Sequence, residues 1–472
     1  MHYKNYSSMT LIKSISGIRG TIGGKRGDNL TPADIVDFTS AFVSFIRKKE
    51  NKERLKVVVG RDARLSGGIV SKLATATLQS LGVDVIDLGL STTPTVEMAV
   101  VRHAADAGMI LTASHNPMEW NALKLLNKNG EFISAAEGNE LLELVDKGEF
   151  EYAGVKKLGT YTQYDSAIAD HIDAILKLDI VDVAAIKAAD FSVALDCVNS
   201  TGGIALPPLL ERLGVRKVKV LNGEPTGIFA HNPEPLPEHL TGIASLMKKE
   251  HFDVGFVVDP DVDRLAMLTE NGDMFGEEYT LVAVSDYVLQ THKGNTVSNL
   301  SSTRALRDVS LKHGVEYNAS AVGEVNVVQM MKDSNAIIGG EGNGGVIYPA
   351  LHYGRDALVG IALFLSYMAK TGKSCSDIKR LYPQYYMSKN KIEIKKDMDV
   401  KAILDYVAKK YENYNVSRID GVKVDFDDSW VHLRPSNTEP IIRIYSEASS
   451  EPIAQHIANK IQADIREFLN GN

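Results

Sequence analysis

The sequence predicts an α/β protein of several domains, in which three similar βα-rich segments are followed by a smaller α+β segment. Three observations carry this expectation. A chain of 472 residues is too long for one hydrophobic core, and roughly three or four domains are expected. Up to about residue 370, short apolar runs alternate with stretches of helical length, the pattern of parallel α/β layering. Beyond Tyr386 the pattern changes to alternating segments and two helices, which suits a small α+β domain. The boundaries that follow are 1–158, 159–272, 273–384 and 385–472.

Residues 1–8 are polar and hold no apolar h-region, so no signal peptide is expected, and Met9 offers an alternative start to Met1. The run Ile12-Lys13-Ser14-Ile15-Ser16-Gly17-Ile18-Arg19-Gly20 sets Arg19 among glycines, which suits a tight turn presenting a guanidinium. A helix should start at Thr31-Pro32, with the threonine as cap and the proline at the first helical position. Strands are expected at 55–59 and 83–88, and helices at 68–81, 93–104 and 135–147, with 148–161 as linker. The second segment reads as strands at 192–197, 218–221 and 254–258, helices at 202–213 and 238–249, and a long Gly/Pro-containing loop at 222–237. In the third, helices at 277–289, 303–313 and 356–369 accompany strands at 296–299 and 336–338. The last has alternating segments at 391–394 and 422–424 and helices at 400–411 and 452–469.

Composition bounds the function. With 44% apolar and 24% charged residues the chain is an ordinary globular protein, and its net charge of −8 argues against nucleic acid or an anionic membrane as partner. Any anion must then be held by local clusters of Arg, Lys and backbone N–H groups. Two cysteines, Cys197 and Cys375, cannot build a disulfide framework and fit a reducing, cytoplasmic setting. No run of about 18 apolar residues suggests a membrane span. Small molecules are the expected partners, and monomer and dimer both stay open.

Four stretches carry chemistry. Leu111-Thr112-Ala113-Ser114-His115-Asn116-Pro117 follows an apolar run and ends at a proline, so Ser114 should sit at the tip of a loop behind a buried strand. A serine there needs activation to act as a nucleophile, or it can carry a phosphate. Asp259, Asp261 and Asp263 alternate after a strand; in an extended segment they would share one side and repel unless a hard divalent cation lies among them. Arg434-Pro435-Ser436-Asn437-Thr438-Glu439-Pro440 offers donors suited to a phosphate, and Arg443 could reach the same loop. The Gly-rich run around Glu341 is not a P-loop, since no Gly-Lys-Ser/Thr follows, but its carboxylate suits vicinal hydroxyls. Taken singly, each stretch also reads as a polar turn, and Lys124 as a surface charge.

Together these stretches resemble the α-D-phosphohexomutases: phosphoglucomutase, phosphomannomutase, phosphoglucosamine mutase and their relatives. The match runs from Ser16 to Arg443, with residues 112–117, 259–264, 340–344 and 434–438 in the order of the phosphoserine, metal, sugar-recognition and phosphate-binding loops. The resemblance implies a heart-shaped, four-domain protein with its active site in a central cleft, one loop per domain in that order. It implies a phosphoryl group on Ser114 and Mg²⁺ held by Ser114, Asp259, Asp261 and Asp263. It also implies transfer between O6 and O1 of a sugar phosphate through a sugar 1,6-bisphosphate. By the same resemblance Arg19, Lys124 and His115 are expected to complete the catalytic set, and Arg264, Glu341, Asn343, Arg434, Ser436, Asn437, Thr438 and Arg443 to contact substrate.

The sugar loop, Gly340-Glu341-Gly342-Asn343-Gly344-Gly345, has Asn and Gly where better-known members carry Ser and His, a form associated with archaeal-type members. His352 is a candidate for the missing base. Ala122 also replaces a usual glycine after Asn121, and Asn326 a basic or aromatic residue. Phosphoglucosamine mutase is the leading reading, and a dual phosphoglucomutase/phosphomannomutase the alternative. A non-catalytic relative would be expected to lack Ser114 or an aspartate. A serine hydrolase would want a Gly-x-Ser-x-Gly elbow that is absent around Ser114.

Overall fold

The computed structural model describes residues 9–14, 17–394, 398–436 and 441–471. Compact packing divides the chain into two units, Met1–Thr280 with Gly344–Ile378, and Leu281–Asn343 with Lys379–Asn472.

The first unit holds a seven-stranded sheet in the order Ile12–Ser14, Gly17–Thr21, Trp120–Leu126, Ala107–Leu111, Lys56–Arg61, Asp84–Leu90, Tyr161–Gln163. Its centre is parallel, as expected, but Trp120–Leu126 runs antiparallel to both Ala107–Leu111 and Gly17–Thr21. The sheet is therefore mixed. Tyr161–Gln163, which begins at the last residue of the stretch expected as linker, pairs in parallel with Asp84–Leu90 and extends the sheet. Helix Pro32–Glu50 begins as the sequence predicts: Thr31 caps it, and Asp34 returns the bond to the Thr31 N–H at 3.0 Å. Its Phe38, Phe42 and Phe45 are buried with Val57, Val59 and Met109 in the main core of the sheet. A four-stranded sheet follows, ordered Leu265–Thr269, Val254–Val258, Ser192–Asp196, Lys217–Leu221, with the first pair antiparallel. The helix expected over 238–249 is a 3₁₀ turn, Pro237–His239, and an α-helix, Thr241–Lys249.

In the second unit, Asn295–Asn299 lies between Tyr317–Ser320 and Ala336–Glu341, all parallel. A five-stranded antiparallel sheet follows, ordered Tyr386–Glu393, Ile441–Ala448, Trp430–Pro435, Val422–Asp425, Asn415–Ser417. One face is apolar: Val431, Leu433, Ile442 and Ile444 pack with Val407 of helix Val400–Lys410 and Ile461 of helix Glu451–Gly471. Alternation along a strand sends the intervening residues to the other face. No helix of the described residues is long and apolar enough to cross a membrane.

Candidate active site

The strand Ala107–Leu111 is buried along its whole length and delivers the chain to Ser114. Ser114 takes a left-handed φ of +49°, a conformation that costs a non-glycine residue and needs outside support. That support comes from two charged residues the sequence reading passed over. Asp62 and Arg64 form a fully buried ion pair at 2.9 Å. The Arg64 guanidinium donates to the carbonyls of Pro117 (2.6 Å), Asn116 (2.8 Å) and Trp120 (3.1 Å), and also to that of Ser114. Asp62 accepts from Thr112 Oγ1 at 2.7 Å, and Thr112 Oγ1 in turn accepts the Ser114 N–H at 2.9 Å. The signal in the sequence was a charge pair two residues apart directly after an apolar strand.

With the loop so held, Ser114 Oγ donates to Asp259 Oδ2 at 2.8 Å. His115 Nδ1 lies 3.4 Å from the same hydroxyl, and burial with Arg264 and Arg19 close by pushes its pKa well below the ordinary value. Arg19 donates to Asn116 Oδ1 at 3.5 Å from the neighbouring strand Gly17–Thr21; burial and then Arg264 lower its pKa.

Asp259, Asp261 and Asp263 are fully buried, with one oxygen from each lying within 4.8 Å of the others. They converge for a reason other than the expected extended alternation. The strand ends at Val258, and residues 259–264 form a turn in which buried Val262 has φ +63°. A β-branched residue in that region is strained. The turn is clamped by Ser200 Oγ (2.6 Å) and Thr201 Oγ1 (2.8 Å) donating to the Pro260 carbonyl, and by Ala357 N–H on that of Val262 (3.2 Å).

Lys124, on the strand Trp120–Leu126, is buried and not a surface charge. Its Nζ lies 2.7 Å from Asp261 Oδ2 and 3.6 Å from Asp263 Oδ2. Burial would lower the Lys124 pKa, but Asp261 and Asp263 outweigh it and raise it. Thr93 Oγ1 also donates to Asp261 Oδ2, at 2.6 Å, and Arg355 Nη2 to Asp263 Oδ2, at 2.6 Å. Burial would push Asp261 up, but the Lys124 ammonium carries it below the usual carboxylate range. Burial, Asp263 and Asp261 together push Asp259 well above it. Asp261 Oδ1 and Asp263 Oδ1 are buried with no hydrogen-bond donor. Three buried carboxylates, two of them with an orphaned oxygen, fit a hard, oxygen-seeking cation such as Mg²⁺. Arg264 borders the cluster: its N–H donates to Asp259 Oδ1 at 3.2 Å and its guanidinium is 3.8 Å from Glu234.

In the second unit, Glu341 Oε1 accepts from Asn299 Nδ2 (2.9 Å) and Gly323 N–H (3.1 Å), and Oε2 from Asn343 Nδ2 (3.3 Å). The carboxylate is thus fixed at the end of strand Ala336–Glu341. In the first unit, Gly344 has φ +86°, and a Cβ there would stand 2.4 Å from the Leu265 carbonyl oxygen, so this position takes only glycine.

Arg434 and Arg443 are cross-strand partners in the last sheet, and Lys391 is the partner of Arg443 on its other side. Directly opposed residues share a face, so three cations stand in a row on the face away from the helices. Asp420 lies 3.8 Å from Arg434 and partly balances them. Like charges so placed repel unless an anion joins them. Lys391 was not among the expected residues, because only the pairing register reveals it. Ser436 follows the strand, its N–H bonded to the Ile441 carbonyl at 2.9 Å. Asn437 and Thr438 lie outside the described residues. His352 pairs with Glu97 (3.4 Å) and Asp356 (3.2 Å).

A hydroxyl donating into a buried cluster suited to a hard cation, on an α/β scaffold with a cation-striped antiparallel sheet, defines a class of enzyme that handles phosphoryl groups. Models of the three phosphoglucomutase/phosphomannomutase α/β/α domains match residues 11–152, 169–272 and 276–385, and that of the C-terminal domain matches 390–463. The chain belongs to the phosphoglucomutase/phosphomannomutase family, whose members are phosphohexomutases. It is 38% identical to a phosphoglucomutase/phosphomannomutase of Thermococcus kodakarensis, over 92% of this chain and 95% of the relative. It is 31% identical to a phosphoglucosamine/phosphogalactosamine mutase of Sulfurisphaera tokodaii, over 94% and 97%. A crystal structure of a family protein from Burkholderia thailandensis superposes with a TM-score of 0.81 at 25% identity, covering 98% of this chain and 97% of that one.

Proposed function

We propose that this phosphohexomutase moves a phosphoryl group between O6 and O1 of a hexosamine or hexose phosphate, with Ser114 as phosphoryl carrier and a sugar 1,6-bisphosphate as intermediate. The observation that carries this reading is the 2.8 Å bond from Ser114 Oγ into the aspartate cluster. Asp259, Asp261 and Asp263, with a phosphate on Ser114, would hold Mg²⁺, which when bound supplies the positive charge that offsets the phosphoryl oxygens.

The chain's own residues do the rest. Arg64 and Asp62 hold the serine loop at its strained φ. Lys124 and Arg19 bring positive charge to the serine region, where the transferring group would carry negative charge. His115, whose pKa is lowered, offers Nδ1 to take the hydroxyl proton as the bond between phosphorus and Ser114 Oγ forms and to return it as that bond breaks. Arg264 is placed to contact the sugar or its phosphate. In the second unit, Glu341 with Asn343 grips sugar hydroxyls, and Arg434, Arg443 and Ser436, with Asn437 and Thr438 of the same loop, hold the phosphate that does not react. Lys391 extends that cationic row. Four domains bounded near 158, 272 and 384 follow the four sheets, except that strand Tyr161–Gln163 pairs into the first.

The finer reading is glucosamine phosphate as preferred substrate, supported by the 31% identical relative named for glucosamine and galactosamine phosphates. A second reading, glucose and mannose phosphates, is supported by the 38% identical relative.

The test is a mutase assay with Mg²⁺ and catalytic sugar 1,6-bisphosphate, alongside peptide mass spectrometry. Wild type should turn over and carry one phosphoryl group on the Ser114 peptide. Ser114→Ala should lose both, with kcat down at least ~10³-fold, about 4 kcal/mol of barrier. Near wild-type turnover by that variant would remove Ser114 from the chemistry.

A further inference from the structure

We propose a second metal site, apart from the aspartate cluster, formed by His171 Nε2, His352 Nε2 and Asp356 Oδ2 and suited to a nitrogen-seeking divalent ion, Zn²⁺ first among them. Helix Ala167–Leu176 carries His171, and the segment entering helix Ala357–Thr371 carries His352 and Asp356, all in the first unit. His171 Nε2 lies 2.9 Å and His352 Nε2 3.2 Å from Asp356 Oδ2, and the three atoms fall within 4.8 Å of one another.

Each ligand is aimed by a second partner. His171 Nδ1 is 2.9 Å from Thr95 Oγ1, within hydrogen-bond reach, and His352 Nδ1 faces Glu97 Oε2 at an ion-pair distance of 3.4 Å without a hydrogen bond. Metal-binding histidines have this arrangement: the far ring nitrogen is engaged, which fixes the ring and turns the other lone pair toward the ion. Asp356 Oδ1 accepts the N–H groups of Leu358 (2.8 Å) and Val359 (3.3 Å), so Oδ2 alone faces the imidazoles. Gly354 leaves room for Glu97; a Cβ there would stand 1.8 Å from Glu97 Oε2. His171, Asp356 and Glu97 are at most 1% exposed, while the His352 side chain is 11% exposed and gives the ion a way in.

Two imidazoles and one carboxylate make a zinc-type set with a position left open, and Mg²⁺ prefers oxygen. Neighbouring residues serve the aspartates: Thr93, on the helix that carries Thr95 and Glu97, bonds Asp261, and Arg355, next to Asp356, bonds Asp263. An ion at the second site would pin both segments and so steady the cluster from behind. The rival occupant of this space is a proton shared between His352 and its two carboxylates.

The experiment uses the full chain, stripped with chelator, loaded with Zn²⁺ in excess Mg²⁺, desalted, and assayed by elemental analysis and X-ray absorption. The expected result is about one zinc per chain with about two imidazoles in its first shell. His171→Gln and His352→Gln should each cut retained zinc at least ~10-fold, while Asp261→Asn keeps it. Should either histidine variant fail to fold, the wild-type absorption spectrum decides. No retained zinc, an oxygen-only shell, or zinc lost in Asp261→Asn and kept in His352→Gln would each overturn the proposal.

Discussion

A single buried arginine decides whether the serine loop holds its shape. Arg64 has no exposed side-chain surface, and its guanidinium spans the carbonyls of four loop residues while paired with Asp62. Lysine carries the charge but not the planar fork, so it cannot reach those acceptors together. Arg64→Lys should therefore lower kcat by about 10–100-fold with KM little changed, because positioning is lost while substrate contacts stay. Steady-state kinetics checks this, and an unchanged kcat would make the arginine purely structural. The sequence shows Ser114 and the three aspartates readily, because each group is contiguous and bounded by turn residues. Arg64, Thr93 and Arg355 escape it, because their partners lie 50, 168 and 92 positions away in the chain. Nothing local distinguishes them from ordinary polar residues.

Elements were legible where periodicity was strong and local. The helices Ala135–Lys147 and Gly202–Leu213 and the strand Val254–Val258 fall where the pattern places them. Trp120–Leu126 does not announce itself, because Lys124 interrupts its apolar run for the sake of Asp261. The antiparallel C-terminal sheet likewise hides its function in register, which alone sets Lys391, Arg443 and Arg434 side by side. If that row holds a phosphate, Arg434→Ala should raise KM for sugar phosphates about 10-fold or more with kcat less affected, since uniform binding is what an anchor supplies. An unaltered KM would assign the row another purpose. The same sheet carries a titrating element. His432 accepts from Ser301 at Nδ1 (2.9 Å) and donates from Nε2 to the Asp420 carbonyl (2.6 Å). Burial lowers its pKa to about 4. The unfolded chain, near 6.5, binds the proton more readily, so His432 contributes full stability above about pH 6.5 and loses it as pH falls toward 4. Denaturation followed across that window should show stability falling on acidification, and His432→Gln should flatten the slope; parallel curves would place the acid sensitivity elsewhere.

Over the whole molecule, a net charge of −8 works against sugar phosphates, so affinity must be local, and the cations are concentrated accordingly. Arg19, Lys124, Arg264 and Arg355 surround the serine and aspartates, and Lys391, Arg443 and Arg434 form the row in the second unit. In the proposed function these charges would recognise phosphate, which every candidate substrate carries, and so could not choose among sugars. Under the proposed function, discrimination would fall to Glu341, the charged acceptor of its loop, held by Asn299, Gly323 and Asn343. A carboxylate accepts from a hydroxyl or an ammonium, but the charge-assisted bond is roughly twice as strong. Under the proposed function, a buried carboxylate of this kind would favour an amino sugar. Glucosamine phosphate should therefore exceed glucose and mannose phosphates in kcat/KM by about 10-fold, or 1.4 kcal/mol in transition-state binding. Glu341→Gln should erase that margin while lowering all three activities, because the amide keeps an acceptor and loses the charge. Side-by-side kinetics on the three sugars with both proteins tests the argument. Equal or better rates on glucose or mannose in the wild type would favour the dual hexose reading, and a margin that survives Glu341→Gln would move amine recognition to another residue.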